Sequence, residues 1–272
     1  MFESILVKRD GVNSFGEVKY FPDRGCLKNE LCSCGVSACD CSFWAPVISK
    51  MAYWDHSEMA SITRQFESTK YFLWNLILIK LGVYRNKLKL YQKYNYELYS
   101  ILEEHGKFVD SSKMPARVYF LAAGAGVRSF PFERIYWVVR DPRGVAWSCG
   151  KSVARPEATA SEDRMMPKFG YFSSLGKWFL NVLVSGFVYI KYREYVELVK
   201  YEDLSAMTVG QSGPLDSVVS LHSISGNPRR FTGGLKEIKI DVEWKSGLTT
   251  WQKKTAYYLL YPLMKSFGYK SV

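Results

Sequence analysis

The chain has 272 residues, 47% of them hydrophobic and 23% charged, an ordinary globular composition with room for one large core, and a single domain is expected. A net charge of +11 points to an anionic partner, whether nucleotide, nucleic acid, sulfated glycan or membrane surface. No block of five like charges marks a nucleic-acid-binding tail, and the apolar stretches 71–84 and 178–190, broken by Asn75, Lys80 and Asn181, are too short for a bilayer and read as core helices.

Residues 1–6 have the pattern of a helix interior, and the chain turns at Asp10-Gly11 into VNSFGEVKY. No charged start with a following apolar region and cleavage site is seen, so no signal peptide is expected and the location expected is cytoplasmic. Four of the six cysteines, Cys32, Cys34, Cys39 and Cys41, fall within ten residues, in an insert at about 26–44. Three readings stay open for them: a thiolate metal site, although structural zinc more often uses C-x2-C pairs; disulfides; or reduced thiols packed in the insert. From Pro46 to Gly106 the chain reads as helices, most clearly where Leu88, Tyr91, Tyr94, Leu98 and Ile101 recur at steps of three and four, with Gly106 as the stop. Residues 107–110 form a short strand, and Ser111 to Pro115 a loop opening a helix that ends near Ala123. A second strand over 134–139 completes a β-α-β-α unit and so implies a parallel sheet.

That second strand carries an unbroken apolar run, Ile135 to Val139, expected of a strand buried on both faces. Asp141-Pro142 then reads as an N-cap with proline at the first helical position, the helix running into the early 150s. Arg140 therefore sits at the carboxyl edge of a strand, facing a helix N-terminus, where open α/β sheets bind phosphate. Ser148 lies two turns on, about 10 Å along the axis from Asp141. Either the forked guanidinium of Arg140 and the Ser148 hydroxyl grip one phosphate, or Arg140 is paired with a carboxylate at a capped corner. The segment from Gly144 to Ser152 is not a Walker A loop, because five residues rather than four separate its glycines and it falls inside the helix. Gly124-Ala-Gly126 lacks a preceding strand. Residues 170–196 read as a helix, 195–200 as a strand turning at Tyr201-Glu-Asp-Leu204, 210–214 as a loop, and about 250–267 as a final helix before Gly268.

Five segments together resemble the sulfotransferases that use 3′-phosphoadenosine 5′-phosphosulfate (PAPS), in their bacterial form: Gly16-Glu17, V-D-S-S-K-x-P from Val109, R-D-P-R-x-V-A-x-S from Arg140 to Ser148, Y-E-D-L at Tyr201, and H-x-x-S-G-N-P-x-R-F from His222. Cysteine stretches of the form N-E-L-C-S-C-G occur there as well, which places the insert beside the acceptor cleft. The resemblance implies an α/β, P-loop-like three-layer fold with a central parallel sheet flanked by helices. The family's phosphate loop, G-x-P-R-S-G-[ST]-[ST], and its first strand are not found in the sequence. The roles implied are Glu17 as general base, Lys113 as the charge stabilising the leaving phosphate oxygen, Arg140 and Ser148 on the donor 3′-phosphate, Tyr201 on adenine and Arg230 as added charge. The alternatives for single residues stay open: Glu17 an exposed loop carboxylate, Lys113 a solvated lysine, Tyr201 a half-buried strand end, Arg229-Arg230 a basic surface turn, His222 structural.

The function expected is transfer of a sulfonyl group from PAPS to a hydroxyl or amine, releasing 3′-phosphoadenosine 5′-phosphate and needing no metal. The alternative is a truncated or inactive relative serving as a nucleotide or anionic-ligand binding module. The acceptor expected is a small molecule, carbohydrate or lipid, selected by segments 45–105 and 153–195, with no nucleic acid partner and no transmembrane segment.

Overall fold

A computed structural model describes residues 2–124, 130–160, 164–206, 222–226, 228, 231 and 240–271. It is helix-rich, with two short pairs of parallel strands, and the chain groups into two compact units. The first comprises residues 1–133, 154–164 and 210–238; the second comprises 134–153, 165–209 and 239–272.

The first unit opens with helix α1 (Phe2–Asp10), turns at Gly11, and enters strand β1 (Asn13–Ser14), which pairs in parallel with β2 (Phe108–Val109). Between them lie α2 (Trp44–Lys50), α3 (His56–Glu67), α4 (Phe72–Lys80) and α5 (Arg85–Glu103), and α6 (Pro115–Leu121) follows β2. Asp55 starts α3 by accepting hydrogen bonds from the Ser57 and Glu58 amides at 2.9 and 3.0 Å. The stripe Leu88, Tyr91, Tyr94, Leu98 of α5 is buried as its spacing requires. Phe66, Tyr91, Phe72 and Phe120 pack in the core as tilted ring pairs with centroids 5.2–5.5 Å apart. α4 departs from expectation. It buries only Phe72 and Asn75 and leaves Leu73, Trp74 and Ile77 exposed, so the 71–84 stretch is a helix on the surface rather than in the core.

The second unit is built on β3 (Ile135–Val139), α7 (Pro142–Gly150), α8 (Tyr171–Lys191) and β4 (Val196–Lys200), and ends in α9 (Trp244–Gly247), α10 (Thr250–Leu259) and α11 (Tyr261–Ser266). β3 and β4 pair in parallel, in register from Ile135↔Val196 to Val139↔Lys200. The ladders remain two separate pairs among the described residues: β2 joins β1, and β3 joins β4. β3 is not buried on both faces. Its odd-numbered residues Trp137 and Val139 pack against Trp178 and Val182 of α8 and against Leu260 and Met264, whereas Val138, pointing the opposite way, is exposed. α8 likewise buries Leu175, Trp178 and Val182 while exposing Phe172, Phe187 and Ile190. The final helix is two helices, because Pro262 falls in the first turn of α11 and cannot continue the α10 ladder. No helix among the described residues is long and apolar enough to cross a membrane.

Candidate functional site

In the first unit the Gly16-Glu17 turn and the Ser111 to Lys113 loop are stitched together by backbone. The Ser111 amide donates to the Gly16 carbonyl at 3.1 Å, and the Lys19 amide donates to Ser112 Oγ at 3.1 Å. The Glu17 amide donates to the Ser225 carbonyl at 3.0 Å. Lys113 sits in the left-handed region at φ 61°, a costly conformation for a residue with a Cβ, and its ammonium lies 2.6 Å from Glu17 Oε1. Glu17 is buried, with its side chain 11% exposed, while that of Lys113 is 64% exposed. Glu17 is therefore not an exposed loop carboxylate, whereas Lys113 is a largely solvated loop lysine that pairs with it. A sheltered carboxylate and a more exposed cation stand in contact, 96 positions apart in sequence.

Behind this loop is a buried network that the sequence pattern does not reveal. Asp110 accepts from the Ser112 amide at 2.9 Å and from the Ser112 hydroxyl, an Asx turn that shapes the loop. Its other oxygen accepts from Tyr99 at 2.6 Å and from Arg117 Nε at 2.9 Å. Arg117 also donates to Glu67 at 2.5 Å, and Glu67 accepts from Tyr91 at 2.8 Å. Burial alone would raise the Asp110 carboxyl, but the Arg117 guanidinium and the hydrogen bonds from Ser112 and Tyr99 outweigh it and hold the group below the usual carboxylate range. Nothing local in the sequence marks Arg117 or Glu67.

In the second unit Asp141 caps α7, accepting from the Arg143 amide at 2.9 Å, and also pairs with the Arg143 guanidinium at 2.6 Å. Arg140 leaves the end of β3 with its carbonyl held by Trp178 Nε1 at 2.9 Å. Its guanidinium lies over the Tyr201 ring, 4.4 Å from the centroid, and meets the Asp241 carbonyl and carboxylate, both at 3.2 Å. The Tyr201 hydroxyl accepts from the Asp241 amide at 3.1 Å. Gly144 packs closely at this corner: a Cβ there would fall 3.1 Å from Arg140 Nε and 3.0 Å from the Trp244 ring. Lys151 bridges Asp241 at 3.5 Å and Glu243 at 2.6 Å. Burial would raise the Asp241 carboxyl, but the Glu243 amide, Arg140 and Lys151 bring it below the usual range. Ser148 is half-buried on α7. The structure thus brings Arg140 and Tyr201 together and adds Asp241, which the sequence did not mark. The Arg140 guanidinium is thus paired with a carboxylate at the capped corner.

Arg230 and its neighbour Arg229, together with the 210–214 loop and Gly126, lie outside the described residues. Among the cysteines no disulfide is formed; Cys32, Cys34 and Cys41 converge, while Cys39 stands exposed. No protein-family profile, curated protein or solved structure matches the chain.

Proposed function

We propose that the chain is a PAPS-dependent sulfotransferase domain of P-loop-like, three-layer α/β type. The observation that supports it most is the 2.6 Å contact between Glu17 and Lys113, the two residues the family resemblance assigns to one reaction. Glu17 takes the proton from an acceptor hydroxyl as that oxygen attacks sulfur, and the bond from sulfur to the bridging phosphate oxygen breaks. Lys113, its side chain 64% exposed, stabilises the charge that develops on the departing oxygen. The products are a sulfate ester and 3′-phosphoadenosine 5′-phosphate. Arg140 and Ser148 hold the 3′-phosphate, Tyr201 contacts adenine, and Arg230 adds charge at the 3′-phosphate. An acceptor amine reacts in the same way to give a sulfamate. The acceptor is a small molecule, carbohydrate or lipid.

Titration calorimetry with 3′-phosphoadenosine 5′-phosphate tests the donor site: the wild-type chain binds, and Arg140→Ala weakens binding by about tenfold or more, the loss of a charge-assisted bidentate contact. Absence of binding, or equal binding by the variant, rejects the donor assignment. Labelled PAPS with a panel of acceptors then tests transfer, which Glu17→Gln reduces by about 10²–10⁴ if the carboxylate is the base.

A further inference from the structure

The insert and the segment that begins at His222 meet at a cluster outside the proposed donor and acceptor chemistry. Cys32, Cys34, Cys41 and His222 point their sulfurs and one ring nitrogen at a common centre, all four atoms lying within 4.8 Å of one another. Cys34 Sγ is 3.7 Å from Cys41 Sγ, and His222 Nδ1 is 3.2 Å from Cys41 Sγ and 3.8 Å from Cys32 Sγ. A tetrahedral zinc ion, with Zn–S about 2.3 Å and Zn–N about 2.0–2.1 Å, sets its ligand atoms about 3.8 Å apart between sulfurs and about 3.6 Å apart between sulfur and nitrogen. The Cys34–Cys41 and Cys32–His222 separations lie within about 0.2 Å of those edges, the Cys41–His222 separation is shorter by about 0.4 Å, and all four atoms fall within 4.8 Å, so a small side-chain adjustment would seat the ion. We propose that these four residues form a structural zinc site that clasps the cysteine-rich insert to the chain segment carrying His222.

Three thiolates and one imidazole are the donor set zinc takes in closed structural sites, and four protein ligands leave no position for water or substrate. The 3.7 Å separation of Cys34 and Cys41 is far longer than a sulfur–sulfur bond of about 2.05 Å, and a disulfide there would leave Cys32 and His222 gathered around nothing. The ligands are held by groups that do not depend on the metal. The Cys32 amide donates to the Val36 carbonyl at 2.8 Å, closing the turn that carries Cys34. Trp44 Nε1 donates to the His222 carbonyl at 2.7 Å, and the Phe43 ring stacks on the imidazole at 5.4 Å. Ser33 and Ser223 exchange two hydrogen bonds, at 2.9 and 3.0 Å, beside the cluster. Cys32 and Cys41 are buried, which keeps the centre from solvent on the side away from Cys34. The insert therefore uses three of its five cysteines and borrows its last ligand from 181 positions beyond Cys41. The same clasped segment carries Ser225, whose carbonyl receives the Glu17 amide.

The full chain, expressed with added zinc and purified without chelator, tests the site by elemental analysis, with one zinc per chain expected. Replacement by cobalt should give the visible bands of a tetrahedral ion and the near-ultraviolet charge transfer of thiolate ligation. Cys41→Ser and His222→Ala should lose the metal, His222→Cys should restore it as a four-cysteine site, and Cys39→Ser should keep it. Should the first two variants not fold, mercurial titration of wild-type thiols with a zinc indicator still reads release of the ion. Metal-free wild-type chain lacking cobalt bands, a disulfide among these cysteines in that chain, or loss of zinc in Cys39→Ser with retention in Cys41→Ser would overturn the proposal.

Discussion

Arg117 is the residue on which the loop bearing Lys113 depends most. It is 3% exposed and holds both Glu67 and Asp110, so Arg117→Ala leaves two buried carboxylates without their cation. The expected loss is about 3–5 kcal/mol in urea unfolding, whereas a solvated surface arginine would cost less than about 1 kcal/mol. The pH dependence follows from Asp110. Its folded-state pKa is depressed, so its contribution is complete above the unfolded value near 3.9 and is lost as pH falls through the lower folded value. Acid titration by circular dichroism should therefore show stability falling below about pH 4, with a shallower acid limb in Asp110→Asn. At the other corner Asp241 occupies the guanidinium that the 3′-phosphate would use. Asp241→Asn removes a negative charge from beside that phosphate, and calorimetry should show 3′-phosphoadenosine 5′-phosphate bound about three- to tenfold more tightly. Unchanged or weaker binding would mean that the nucleotide does not contact Arg140.

At the scale of elements, local chemistry accounts for most boundaries. Asp141-Pro142 starts α7 and Thr249 with Gln252 forms the capping box of α10, each from side chains within three residues of the amides they satisfy. The α5 stripe predicts its buried face because 3.6-residue periodicity is a property of the helix itself. α4 and β3 show where that inference stops: an apolar run states what can be buried, and the neighbours decide what is. At the contact of α9 with α7 a glycine approaches an indole closely. A Cβ on Gly247 would lie 2.2 Å from the Trp147 ring, so Gly247→Ala must displace an indole. Thermal unfolding should register about 1–3 kcal/mol of destabilisation. Full stability in that variant would show that Trp147 swings aside without loss.

For the molecule as a whole, the net charge of +11 and the resemblance in five separated segments direct attention to one anionic ligand, and mass action offers a global readout. A free concentration of 3′-phosphoadenosine 5′-phosphate about one hundred times its Kd should add about 2.7 kcal/mol of stability, raising Tm by several degrees in wild type and by less in Arg140→Ala at the same concentration. No rise in either chain would count against the donor site. The sequence by itself marked the α5 stripe, the Asp141-Pro142 helix start and the strands before Arg140 and Tyr201, and its resemblance to a known family marked Glu17, Lys113, Arg140 and Tyr201 as candidates, since each rests on residues within a few positions of one another. Tertiary structure alone decided that Glu17 meets Lys113, that Asp241 sits on Arg140, that Arg117 underlies the loop and that His222 completes three cysteines. Those pairings join residues from 7 to 190 positions apart, and their partners carry no periodic or spacing signal. They exist because a buried charge, or a set of converging donors, must find its counterpart wherever the fold brings one within reach.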